Sequence, residues 1–143
     1  MSEAMNPRMK HIQAIAAGLA LAAMVNPLAA QAGDTTAASQ LAQWQTQAGA
    51  PASVERGKMF FSSKHGNDLS CTSCHGTPPT AQGKHASTGK SIEPLAPAIN
   101  PTRFTDTAKV NKWFTRNCKD VLSRECSASE KADVLAYLTG LKP

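Results

Sequence analysis

None of the five methionines in this 143-residue sequence lies beyond position 59. Aromatic residues are also scarce, at 5% of the chain: four Phe, two Trp and one Tyr. So few large rings leave a small domain short of core-filling bulk, and chains of this size often make it up with cross-links or a bound group. No stretch alternates convincingly between apolar and polar residues, which argues against a sandwich or barrel and for an all-α class. Basic residues never run five or six together, so the net charge of +5 does not mark a nucleic-acid-binding face. Ile12 to Val25 is apolar apart from Gln13, yet it falls short of the roughly 20 residues that a membrane-spanning helix needs.

That apolar run follows Arg8, Lys10 and His11 and precedes Asn26-Pro27 and the small-residue site Ala30-Gln31-Ala32. The order reads as a signal peptide over residues 1–32, cut after Ala32; the alternative is an uncleaved amphipathic anchor. Without Arg8, Lys10 and Glu3 the remainder holds 13 basic and nine acidic side chains, net +4. A mild positive surface suits the steering of an acidic partner protein. Export also places the four cysteines in an oxidising compartment, here the periplasm. Residues 33–52 are small and polar and are expected to form a loose N-terminal arm, with a helical turn around Leu41 and Trp44. Residues 53–143 form the expected domain.

Within it, Ser53 caps a helix over 53–64, with Val54, Gly57 and Phe61 on one face. A helix accepts a mid-helix glycine, at a cost of about 1 kcal/mol, where another backbone must come close. Thr105 caps a second helix over 105–117, Asp106 suits its first turn, and Val110, Trp113 and Phe114 form its apolar face. Ser127 and Glu130 fit a capping box ahead of Val134, Leu135, Leu138 and Leu141, with Tyr137 beside them and Gly140 as a stop. The link from Gly76 to Arg103 carries prolines at 78, 79, 94, 97 and 101. It reads as a loop wrapped along a cofactor edge.

The chemistry concentrates in Cys71-Thr72-Ser73-Cys74-His75. Two thiols two residues apart with an imidazole directly after them form the attachment pattern of haem c. A thioredoxin-like redox pair would sit near a βαβ pattern, and a zinc site would need two more ligands at short spacing. On the haem reading His75 Nε2 binds iron, and Nδ1–H needs an acceptor such as a carbonyl near Pro94 or Pro97. Cys118 and Cys126 then remain as a pair. A disulfide between them would close a loop of about nine residues, worth ~2.5 kcal/mol; the alternative is two free buried thiols.

The segment "TRNCKDVLSREC" (115–126) holds neither His nor Met. Its arginines stay protonated, Lys119 would have to lose a proton, and Asn117 offers a neutral amide oxygen. Other candidates for the sixth iron position are His85, which would give a bis-His haem, Asn100 and Lys119. His65 reads as a solvated side chain. Trp113, Arg103 and Arg116 are either haem-propionate partners or, respectively, core and surface residues.

"RGKMFF", the Cys71–His75 motif and "ADVLAYL" together resemble class I cytochrome c, over about 90 residues from Ser53 to the end. In that fold the first and last helices cross at a glycine, here Gly57, and at an aromatic. The family's methionine ligand, on the loop before the last helix, has no counterpart here. "GKHASTGKSIEPLAP", "NPTRFTDTAKVNKWFTRNCKDVLSREC" and "EKADVLAYL" resemble the SHP group of oxygen-binding cytochromes c. That resemblance implies one covalently held haem with His75 and Asn117 as axial ligands and a Cys118–Cys126 disulfide beside Asn117. It also implies release of the asparagine on reduction, an open iron for oxygen or nitric oxide, and a dihaem cytochrome c as redox partner. Two other functions are compatible with these residues: a plain electron shuttle, and a haem enzyme that reduces or detoxifies oxygen or nitric oxide.

Overall fold

The computed structural model describes residues 33–143; the segment read as a signal peptide lies outside them. Five helices dominate: α1 (Ala37–Ala48), α2 (Val54–Ser62), α3 (Thr72–His75), α4 (Thr107–Leu122) and α5 (Ala128–Gly140). A minimal antiparallel pair, β1 (Gly83–Lys84) with β2 (Ser91–Ile92), adds the one ladder among the described residues. None of these helices is long and apolar enough to cross a membrane.

The centre of the fold is α5. Ser127 accepts from the Glu130 amide at 3.2 Å while Glu130 Oε2 accepts from the Ser127 amide at 2.8 Å, so the capping box forms in full. Ala132, Val134, Leu135, Tyr137 and Leu138 are all buried, because α1 and α2 both pack closely on α5. A helix covered on more than one side is apolar over more than one stripe.

Ser53 caps α2 by accepting from Arg56 N at 3.2 Å. A Cβ on Gly57 would overlap the Asp133 carbonyl and stand 3.0 Å from Tyr137 Cβ. The missing side chain is what lets the two backbones meet. Phe61 and Tyr137 pack beside that crossing with ring centroids 5.6 Å apart.

Two expectations need correcting. The N-terminal arm is not loose. Residues 37–48 form a full helix, capped by the Thr36 side chain and ended by Gly49 in the left-handed region at φ 65°. Trp44 is only 3% exposed, packed with Val110, Ala132 and Leu135. The neighbouring Gln40, 1% exposed, donates from Nε2 to Thr35 Oγ1 at 3.3 Å and Thr107 Oγ1 at 3.2 Å. One tryptophan and a satisfied amide suffice to dock a segment whose composition reads as polar.

The helix expected over 105–117 starts later and runs further. Asp106, not Thr105, accepts from the Lys109 amide at 2.8 Å, while the Thr105 hydroxyl donates to the Thr102 carbonyl at 2.8 Å. The helix continues to Leu122 because the spacing Val110, Phe114, Cys118, Val121 keeps one apolar face. Asn117 therefore stands on a helix rather than on a loop. α4 also lacks a close helix neighbour of the kind α1 and α2 find in α5. It reaches the core through side chains such as Phe114, whose ring meets Trp44 edge-on at 4.7 Å.

Candidate functional site

A single helical turn carries the motif. Cys71 stands at its N-terminal boundary, and its carbonyl accepts from the His75 amide at 3.0 Å. Ser70 and Ser73 brace the entrance, the Ser70 amide donating to Ser73 Oγ at 3.0 Å. Gly83 of β1 lies against this turn so closely that a Cβ there would overlap the Cys74 carbonyl. The strand pair is thus a backing for the motif, which composition alone does not reveal. Cys71 packs against the cluster of Phe61, Val134, Tyr137 and Leu138, and the Phe61 ring lies 6.1 Å from that of His75.

Cys71 and Cys74 are both free thiols in the structure. Burial pushes the Cys71 thiol up to about 11. A redox dithiol depends on a lowered thiol pKa, so this environment opposes the thioredoxin-like alternative. Among the described residues no group of three or more His, Cys, Asp or Glu could hold a metal ion, so the structure does not assemble the further ligands that a zinc site needs.

Burial, with the Arg103 charge behind it, pushes His75 down to about 4. The ring is therefore neutral near pH 7 and keeps a lone pair for a metal. His75 Nδ1 is sealed from solvent without a hydrogen-bond partner, a condition that costs ~1–3 kcal/mol if nothing relieves it. The Pro94 carbonyl suggested as its acceptor accepts instead from Arg103 Nε at 2.9 Å, and Arg103 Nη2 donates to the Glu93 carbonyl at 2.6 Å. Arg103 is committed to pinning the proline-rich link. Two free thiols, a neutral imidazole and an orphaned ring nitrogen on one turn fit a covalently attached, iron-bearing ring.

The candidates for the sixth iron position differ in their commitments. Asn100 Oδ1 accepts from the Thr102 hydroxyl at 2.7 Å and from its amide at 3.3 Å, closing a surface turn. His85 Nδ1 accepts from Thr88 N at 3.3 Å. His65 Nε2 donates to the Phe60 carbonyl at 2.9 Å. Lys119 Nζ is 3.8 Å from Glu125 Oε1. Met59 is 61% exposed on α2. Asn117 is half-buried, and no hydrogen bond engages its side chain among the described residues. It stands one turn beyond Phe114, which packs on the same cluster as Cys71. Next to it, Cys118 and Cys126 form a disulfide with Cα atoms 5.6 Å apart. Trp113, one turn before Asn117, is 47% exposed, with Lys112 Nζ and Arg116 Cζ each 5.7 Å from its ring centroid.

Two framing residues were missed by the sequence reading. Asp133 is a buried carboxylate that accepts from Arg56 Nε at 2.7 Å, Arg56 Nη2 at 2.8 Å and Ser53 N at 2.7 Å. Its place within the apolar stretch of α5 was the available signal. Asn67, which grips the end of α4, carried no signal at all.

A family described as a domain of unknown function, DUF1924, matches residues 47–138. The cytochrome c-type protein SHP of Cereibacter sphaeroides is 50% identical over 113 residues, 76% of this chain and 87% of the relative. The solved structure of oxidised SHP, an oxygen-binding cytochrome c, superposes with a TM-score of 0.71 at 47% identity, covering 76% of this chain and all of the other. Cytochrome c'' of Methylophilus methylotrophus is 48% identical over 96 residues, 64% of this chain and 67% of the relative. Its solution structure, which bears on haem-ligand detachment, matches with a TM-score of 0.65 at 40% identity over 75% of this chain and 94% of the other. The chain belongs to the family of SHP and cytochrome c'', all-α c-type cytochromes that carry covalently bound haem c.

Proposed function

We propose that this protein is an exported, periplasmic cytochrome that exchanges electrons and, once reduced, takes up a small diatomic gas where Asn117 had been bound. Cys71 and Cys74 would hold the haem through thioethers, His75 would bind its iron permanently and Asn117 would be the displaceable ligand. The group supplies a one-electron couple and an iron with six positions. Asn117 presents an amide oxygen, a hard and weak donor that suits Fe(III) better than Fe(II). A reduced iron would hold such a donor more weakly, so Asn117 would be free to give way to oxygen or nitric oxide. The Cys118–Cys126 disulfide stiffens the backbone that presents the amide. The partner for electrons is another redox protein, a dihaem cytochrome c in the reading above, approached by a surface of mild positive charge.

One observation carries this reading: Asn117 offers a half-buried amide with no hydrogen bond to its side chain, whereas Asn100 and Lys119 are engaged elsewhere and His85 is tied through Nδ1 into its own surface turn. The relative described as oxygen-binding supports the gas-binding part of the reading. The variant Asn117→Ala should keep its haem, and its oxidised visible spectrum should turn from six-coordinate low-spin to five-coordinate or water-ligated. Reduced wild type should bind carbon monoxide. An oxidised N117A spectrum identical to wild type removes the ligand assignment. A reduced wild type that ignores carbon monoxide reduces the protein to a plain electron shuttle.

A further inference from the structure

α4 carries Asn117 without a close helix neighbour along its length. Val110 and Phe114 reach the core and Cys118 is tied by its disulfide, and the two ends of the helix are held by hydrogen bonds. At the N-terminal end Asp34 Oδ1 accepts from Thr107 N at 2.8 Å and Gln40 Nε2 reaches Thr107 Oγ1 at 3.2 Å. At the C-terminal end the anchor is Asn67. Its Nδ2 donates to the Asp120 carbonyl at 2.7 Å, its Oδ1 accepts from the Ser123 hydroxyl at 2.9 Å, and its amide donates to the Val121 carbonyl at 3.3 Å. The last carbonyls of a helix have no partners within it, and Asn67 serves two of them. Ser123, in the left-handed conformation at φ 59° that ends the helix, is fixed by the same side chain.

The two segments thus joined are the two that would face each other across the iron. Asn67 precedes Cys71 by four residues, and Asp120 follows Asn117 by three, less than one helical turn. The link forms a short frame: attachment turn, residue 67, end of α4, Asn117. From this geometry we infer that Asn67 is a positioning residue for the displaceable ligand, holding the last turns of α4 so that the Asn117 amide sits on the ferric iron and returns there after release. The inference rests on Asn117 being that ligand, as proposed above. It assigns Asn67 no contact with the haem.

The test uses the exported holoprotein and cyanide as a probe of the oxidised state, where entry requires Asn117 to leave. Loss of a neutral hydrogen bond of this kind corresponds to ~1 kcal/mol, or about fivefold in an equilibrium constant. Asn67→Ala should therefore raise ferric cyanide affinity about fivefold and add a high-spin component to the oxidised spectrum. Ser123→Ala, an exposed change that leaves the Asp120 bond intact, should give the same effect at smaller size. Asn67→Asp, which keeps the acceptor for Ser123 but loses the donor to Asp120, should fall between wild type and Asn67→Ala. In the double variant Asn67→Ala/Asn117→Ala the cyanide effect of position 67 should vanish, since the held ligand is gone.

A lowered unfolding midpoint for Asn67→Ala with wild-type cyanide affinity and spectrum would make Asn67 a structural tie only and overturn the inference. If Asn117→Ala shifts the oxidised spectrum and neither Asn67 nor Ser123 variants do, this inference alone fails. If Asn117→Ala shifts nothing, the ligand assignment beneath it fails too.

Discussion

At residue scale, the sequence reading was best where a side chain, or its absence, has one dominant use. Gly57 sits mid-helix at a propensity cost and is explained by the Asp133 carbonyl lying where a Cβ would be. Gly57→Ala should force α2 and α5 apart and cost ~1–3 kcal/mol, read as a lower urea midpoint with haem attachment retained. That the chain carries haem c was legible for a similar reason: two thiols and an imidazole at the spacing of Cys71, Cys74 and His75 have few competing uses. Asn67 was illegible. An exposed asparagine in a polar loop resembles every other one until the end of α4 is placed against it, 53 residues away in sequence.

Helix boundaries follow the strength of local signals. The capping box at Ser127 and the cap at Ser53 both form as read, because each depends on residues within one turn. The arm over 33–52 failed because its largest apolar residue is a single Trp44, and one ring shows no periodicity. Its caps, Thr36 and Gly49, are residue types that carry little weight in a sequence without an apolar stripe. Trp44→Ala should lower global stability by about 3 kcal/mol, measured by chemical denaturation; a loose arm would show no change. The helix expected over 105–117 runs on to Leu122 because Cys118 and Val121, on either side of the polar Lys119 and Asp120, continue the face that Val110 begins.

At the scale of the molecule, acid stability has an assignable component. Arg124, and after it the Ser127 amide, hold the Glu130 carboxyl below its ordinary range against the opposing effect of burial. A carboxylate depressed in the folded state stabilises above its unfolded pKa, about 4.3, and that contribution is lost as pH falls through the folded value. Glu130→Gln keeps the capping oxygen but loses the charge that pairs with Arg124, and should be less stable than wild type at pH 7 by roughly 0.5 kcal/mol. The gap should close below about pH 4, as followed by denaturation at a series of pH values. The amino-acid sequence alone determined the all-α class, the Cys71–His75 spacing of a haem c motif and the absence of any methionine beyond position 59, because each is a matter of local spacing or bare composition. The docking of α1, the seating of β1 behind the motif, the pairing of exposed Arg56 with buried Asp133 and the tying of both ends of α4 were decided by tertiary structure. Those contacts join residues far apart in the chain, and burial gives their side chains a meaning that no neighbouring residue announces.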